Sequence, residues 1–283
     1  MGYPNYWPGR VPVADCETRK GLSHFLVGLY LSVAMMLISG LLMALLSNAL
    51  GSYDYTYDES GFMNSMGPII ILALCGIVLL ALAIVALVFF ILGLVEVYKG
   101  RAEFGPAHES SVKKALVFLL VMFVIYICST AFTFIMGFSA MSYSNYDFST
   151  VQTRFTTLAL VSGILGIVSA AFQYLFLVFL VKDLMEPERR KMPWAGFSLG
   201  MISPIFSLAL IMASFRIYYY PEEIGAFILV SAIPAIITLL AMVIFIVCFR
   251  EVVERIDSGE LEPVPPPPFY PGYQVPPPPA WNQ

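Results

Sequence analysis

Residues 68–95 read PIIILALCGIVLLALAIVALVFFILGLV, and this stretch decides the fold. It has no charged side chain and exceeds the roughly 20 apolar residues needed to cross a hydrocarbon core about 30 Å thick. Inside lipid, no water is available to the backbone N–H and C=O groups. The segment must satisfy them itself, so it is expected to be a helix. Gly67-Pro68 would start that helix, since a first-turn proline gives up no hydrogen bond, and Gly100 would follow its end.

Five further stretches repeat the pattern: Phe25–Leu46, Ala115–Met141, Leu158–Val181, Trp194–Phe215 and Ile224–Phe249. Ser110 or Ser111 is placed to cap the third helix. Pro187 follows the fourth helix and Gly259 the sixth. Over the chain 59% of residues are hydrophobic and 12% charged, against about 25% charged in soluble domains. Mean hydropathy is +0.82. No ten-residue alternation of the barrel kind occurs. The expected class is all-α: a polytopic transmembrane helical bundle of six spans, with the bilayer as its principal partner.

Lys and Arg positions give the orientation. Of fifteen, all but Arg154 and Arg216 fall in the N-terminal segment, the second and fourth connections, or the tail. Both termini are therefore expected in the cytoplasm. The spans then pair as three hairpins, 20–100, 110–187 and 193–257. The domain reading is an N-terminal cytoplasmic segment 1–23, a membrane domain 24–257 and a Pro-rich, disordered cytoplasmic tail 258–283.

The three outer turns are rich in tyrosine: Tyr53, Tyr55 and Tyr57, then Tyr143 and Tyr146, then Tyr218, Tyr219 and Tyr220. Tyrosine prefers the headgroup level, so these fit an interfacial belt. Clustered Tyr with Ser and Asn also fits an external recognition surface.

Within the spans no Asp, Glu, Lys, Arg or His lies at mid-depth, whereas ion coupling and intramembrane catalysis usually require one. The one strongly polar deep residue is Gln173, suited to bonding a neighbouring helix or lining a pore. Pro204 and Pro234 lie well inside the fifth and sixth helices and free a carbonyl in each. The two breaks are expected close together, as a cavity, a hinge or a simple kink pair. Gly196, Gly200 and Pro204 on the fifth helix, and Ser162, Gly166 and Ala170 on the fourth, form small-residue stripes suited to close packing.

Motifs for nucleotide binding, zinc hydrolysis or a serine nucleophile are absent, and His24 and His108 lie in separate segments. Neither an enzyme, a cofactor nor a metal site is expected. The acidic residues between spans (Glu96, Glu103, Glu109, Asp183, Glu186, Glu188) read as solvated ends. The net charge of −4 is spread thinly, which argues against nucleic acid. Cys16, beside Arg19 and Lys20, fits an unmodified cytoplasmic thiol or a lipidated one.

The tail is Pro-rich and favours extended polyproline II over a packed core. Pro267-Pro268-Phe269-Tyr270 matches the Pro-Pro-x-Tyr pattern gripped by WW-type domains. A protein partner docking on this tail is the expected partner beyond the bilayer; an inert tail is the other reading. Gly2–Trp7 has a similar Pro/Tyr/Trp character.

Two inner stretches, Asp15-Cys16-Glu17-Thr18-Arg19-Lys20-Gly21 and Val95-Glu96-Val97-Tyr98-Lys99-Gly100-Arg101-Ala102-Glu103-Phe104-Gly105, carry a resemblance. They look like an archaeal family of multi-pass membrane proteins of unknown function. That resemblance implies the architecture and a cell-membrane location and brings no activity. The leading functional expectation is a non-enzymatic membrane protein that organises or recruits partners. The alternatives are a transporter or channel for a small or apolar solute, using the proline-broken fifth and sixth helices, and a lipid-active enzyme.

Overall fold

The computed structural model describes residues 16–51, 59–142, 148–217 and 224–263. It forms six helices: α1 (Glu17–Gly51), α2 (Glu59–Lys99), α3 (Gly105–Ser142), α4 (Phe148–Val181), α5 (Met192–Ile217) and α6 (Ile224–Asp257). No strand occurs among the described residues. Each of the six is long and apolar enough to cross a membrane, so the chain is a multi-pass helical membrane protein.

The helices run past the apolar stretches, because a helix keeps its own hydrogen bonds in water as in lipid. This corrects two expected starts. Helix α2 begins at Glu59, so Gly67-Pro68 lies inside it. Helix α3 begins at Gly105, with φ +84°, so Ser110 and Ser111 lie inside it and are not caps. The Ser111 hydroxyl donates instead to the Asp183 carboxylate. The expected ends hold for α2, where Gly100 N–H donates to Glu96 O at 2.9 Å, and for α6, closed by Gly259 at φ +79°.

Each helix packs most on its sequence neighbour, giving the hairpins α1–α2, α3–α4 and α5–α6. Contacts of α4 with α5 and α1 with α6 join them in the order α2, α1, α6, α5, α4, α3, with α2 and α3 on the flanks.

Burial concentrates at the end that carries most basic residues and both ends of the described chain. Phe25 and Leu29 of α1, Val112 of α3, Leu180 of α4, and Phe245 and Phe249 of α6 are all buried there. Phe25 sits among Phe90, Phe176 and Phe249, with ring centroids 5.7, 5.7 and 6.0 Å away. Toward the far end the helices expose large apolar side chains, such as Leu41 at 63% and Phe134 at 66%, as lipid-facing surfaces should.

Backbone contact closes the first hairpin. A Cβ on Gly21 would lie 2.7 Å from Gly93 O, and one on Gly93 would lie 2.9 Å from Gly21 O. Only glycine at both positions allows that approach. On α5, the expected stripe does pack: a Cβ on Gly196 would meet Phe245, and one on Gly200 would lie 2.5 Å from Tyr174 Cζ. On α4, Gly166 has open space around it, and Gly163, against Leu208, makes the close approach instead.

Candidate functional site

The basic end holds a set of polar side chains that the sequence placed in water. Glu103, in the turn between α2 and α3, is turned inward over the start of α1. Its Oε1 accepts Glu17 N–H at 3.0 Å, and its Oε2 accepts Thr18 N–H at 3.0 Å and the Cys16 thiol at 3.1 Å. A carboxylate there satisfies two of the unpaired N–H groups of a helix start and faces its positive dipole end. The fully buried Thr18 hydroxyl donates back to Gly100 O at 2.9 Å. The two stretches that carry the resemblance thus meet at this point. Nearly two turns along α1, His24 Nδ1 lies 2.6 Å from Glu96 Oε2.

Cys16 is completely buried, and its thiol pKa is pushed up to about 12, chiefly by burial, with the Glu103 carboxylate adding to it. A protonated, enclosed thiol is a poor nucleophile and offers no access for acylation. The packing fits an unmodified cysteine.

The same end buries His108, 1% exposed, on the face of α3 that carries Val112 and Ala115. Phe104 meets its ring edge-on at 5.8 Å, and neither ring nitrogen has a hydrogen-bond partner. Glu103 and Asp183 approach it without bonding it. Among the described residues no three His, Cys, Asp or Glu side chains converge as a metal's ligands would. Of the acidic residues read as solvated, Glu186 and Glu188 are exposed, whereas Glu96, Glu103, Glu109 and Asp183 are partly enclosed.

Arg19 of α1 makes a two-pronged ion pair with Asp257 of α6. Arg255 Nη1 donates to Leu184 O at 2.7 Å, its Nε lies 3.0 Å from Glu260, and its own carbonyl accepts Leu261 N–H at 3.2 Å. Leu261 packs on the core. The chain leaving α6 is therefore tied down as far as Leu261, next to the start of α1.

At Pro204 and Pro234 the structure brings the two helix breaks together. Ser203, beside Pro204 and buried, donates to Pro234 O at 2.9 Å. Thr238 Oγ1 lies 2.7 Å from Ser203 Oγ and 2.9 Å from Pro234 O. Ser203, Thr238 and Pro234 O thus satisfy one another, whereas the carbonyls that the prolines free are those of Gly200 and Val230, four residues earlier. Ser203 and Thr238 escaped sequence reasoning, because a lone hydroxyl in an apolar helix commonly bonds its own backbone.

Gln173 is exposed, with no hydrogen-bond partner among the described residues. It falls on a stripe of α4 whose next turns, Leu177 and Leu180, are buried. Ser162, Gly166 and Ser169 continue that stripe toward the far end, and Ser162 Oγ lies 3.4 Å from Thr133 of α3. In α3 the stripe of His108, Val112 and Ala115 likewise passes from buried to exposed, reaching Tyr126 at 64%. The face that forms the core at the basic end is uncovered and partly polar beyond it.

The remaining candidates lie outside the described residues: Tyr53, Tyr55, Tyr57, Tyr143, Tyr146, Tyr218, Tyr219 and Tyr220 of the outer turns, and Pro267, Pro268, Phe269 and Tyr270 of the tail. No family model, curated protein or solved structure matches the chain.

Proposed function

We propose that this integral membrane protein is a non-enzymatic recruiter in the cell membrane, presenting both of its Pro/Tyr/Trp-rich flanks to cytoplasmic partners. The observation that carries this reading is the Arg19–Asp257 pair, which joins the two places where those flanks leave the packed end. Two weak ligand segments anchored side by side raise each other's effective concentration, so a divalent partner gains avidity without further contacts. The rooted tail, held by Arg255 to Leu184 O, supports a fixed exit point. The sequence match at Pro267-Pro268-Phe269-Tyr270 supplies the chemistry of the ligand.

The test uses the full chain in nanodiscs against a purified WW domain that accepts Pro-Pro-x-Tyr. Removing residues 264–283, or making Tyr270→Ala, is expected to weaken binding by at least about tenfold, the scale of one lost anchor. Unchanged binding would overturn the reading.

A second reading, passage of a small uncharged solute, is favoured by one observation: the uncovered polar stripe that ends at Gln173. It predicts that Gln173→Cys, in a background lacking Cys75 and Cys128, reacts with a membrane-impermeant charged thiol reagent in nanodiscs. Reaction only with a lipid-soluble maleimide would place the side chain in the bilayer and end that reading. The Ser203–Pro234 and Thr238–Ser203 bonds occupy the two hydroxyls beside the breaks, which leaves those hydroxyls less free to receive a solute.

A further inference from the structure

The first turns of α3 carry a groove of about 460 Å³ whose lining changes character along the helix. Glu109, Ser110, Lys113 and Lys114 form its upper part, and Val117 and Phe118 its lower part. Lys114 immediately precedes Ala115, where the apolar stretch begins, so the groove straddles the boundary between headgroups and hydrocarbon. Phe118 is fixed from behind by Phe172 and Phe179, at ring separations of 6.0 and 5.2 Å.

The upper part is cationic. Glu109 is held by Lys113 at 2.7 Å and approached by Arg101 at 3.8 Å, so its charge is more than matched. Lys114 is exposed and adds a further positive charge. The start of α3 contributes its positive dipole end from the same side. A cationic rim above an apolar floor, at the depth of the lipid phosphates, complements an amphiphile with an anionic head.

We infer that this groove is a binding site for one anionic phospholipid of the leaflet at the basic end. Lys113 and Lys114 hold its phosphate, and Val117 and Phe118 flank its first acyl carbons. The inference is independent of the recruitment reading, because it uses neither flank.

The full chain in mild detergent, analysed by native mass spectrometry with phosphatidylglycerol or phosphatidylcholine added, tests it. Wild type is expected to retain one phosphatidylglycerol in clear preference to phosphatidylcholine. Lys113→Gln/Lys114→Gln should lose that preference on the order of tenfold, the scale for two lysines at an anionic surface. Arg190→Gln/Lys191→Gln, exposed in the α4–α5 connection and not among the residues that line the groove, should keep it. Lys114→Gln alone breaks no ion pair and, with several-fold loss expected, keeps the test decisive if the double variant does not fold. Equal retention by wild type and the groove variants would overturn the site. Equal loss in the Arg190/Lys191 control would reduce it to general surface charge and overturn it too. Displacement of the lipid by millimolar inorganic phosphate would leave a simple phosphate site and refute the lipid assignment.

Discussion

Replacing Phe25 by alanine should lower the stability of the bundle by about 3 kcal/mol, the scale of a Phe→Ala cavity that cannot collapse. Phe25 is 1% exposed and meets a ring from each hairpin: Phe90 of the first, Phe176 of the second and Phe249 of the third. Its removal opens the place where all three hairpins join. The neighbouring rings are held elsewhere as well, Phe90 against Gly28 (a Cβ there would lie 3.1 Å from Phe90 Cε2) and Phe176 and Phe249 buried in the core, so relaxation into the space is limited. Part of the usual penalty is missing, because in a bilayer the separated helices still bury their apolar faces in lipid. The dispersion contacts of the ring have no such substitute. Phe25→Leu should cost about 1 kcal/mol, since most of the volume is kept. Unfolding by sodium dodecyl sulfate from mixed micelles, followed by far-ultraviolet circular dichroism, measures both. A loss for Phe25→Ala below about 1 kcal/mol would mean that the hairpins do not depend on this cluster.

The parts of this architecture that were legible in the sequence are those set by the cost of putting charge into lipid. Arg and Lys avoid residues 68–95 and the five stretches like it, so the spans, their pairing as hairpins and the basic end could be read directly. The core could not. In a soluble helix the buried face is apolar and the other polar, whereas in a bilayer both faces are apolar. Nothing local separates Phe25, buried among three rings, from Leu37, 57% exposed on the same helix. The small-residue stripes show the same limit, with Gly200 packed under Tyr174 while Gly166 faces open space. A serine or proline signal does not mark a helix start where it lies inside a longer helix, as at Pro68 and Ser111. Glu103 looks solvated in the sequence because its partners, Cys16 to Thr18, lie more than eighty residues earlier. A side chain that caps a distant helix leaves no local pattern.

That carboxylate gives the second large effect expected. Glu103→Ala leaves Glu17 N–H and Thr18 N–H without acceptors at the start of α1, and frees the Cys16 thiol. Losing charged hydrogen bonds to backbone donors, with the donors still enclosed, should cost about 3 kcal/mol. Much of that cost can be relieved by fraying the first turn of α1, so the more direct readout is local. In the folded protein Cys16 is buried, and its thiol pKa of about 12 keeps it protonated at pH 8. A charged, membrane-impermeant thiol reagent should therefore label it slowly. With Glu103→Ala, labelling should accelerate by on the order of tenfold to a hundredfold, the change that 1.4 to 2.8 kcal/mol of easier local opening produces. Cys248 is also buried and serves as an internal control whose rate should hold. Glu103→Gln keeps an acceptor oxygen and should fall between, while Glu186→Ala, exposed in the α4–α5 connection, should leave Cys16 protected. If Cys16 stays equally slow in Glu103→Ala, its burial is enforced by Thr18 and Gly100 packing alone. The Glu103 carboxylate would then have no hold on the start of α1, and the α2–α3 turn would act there only through Gly100.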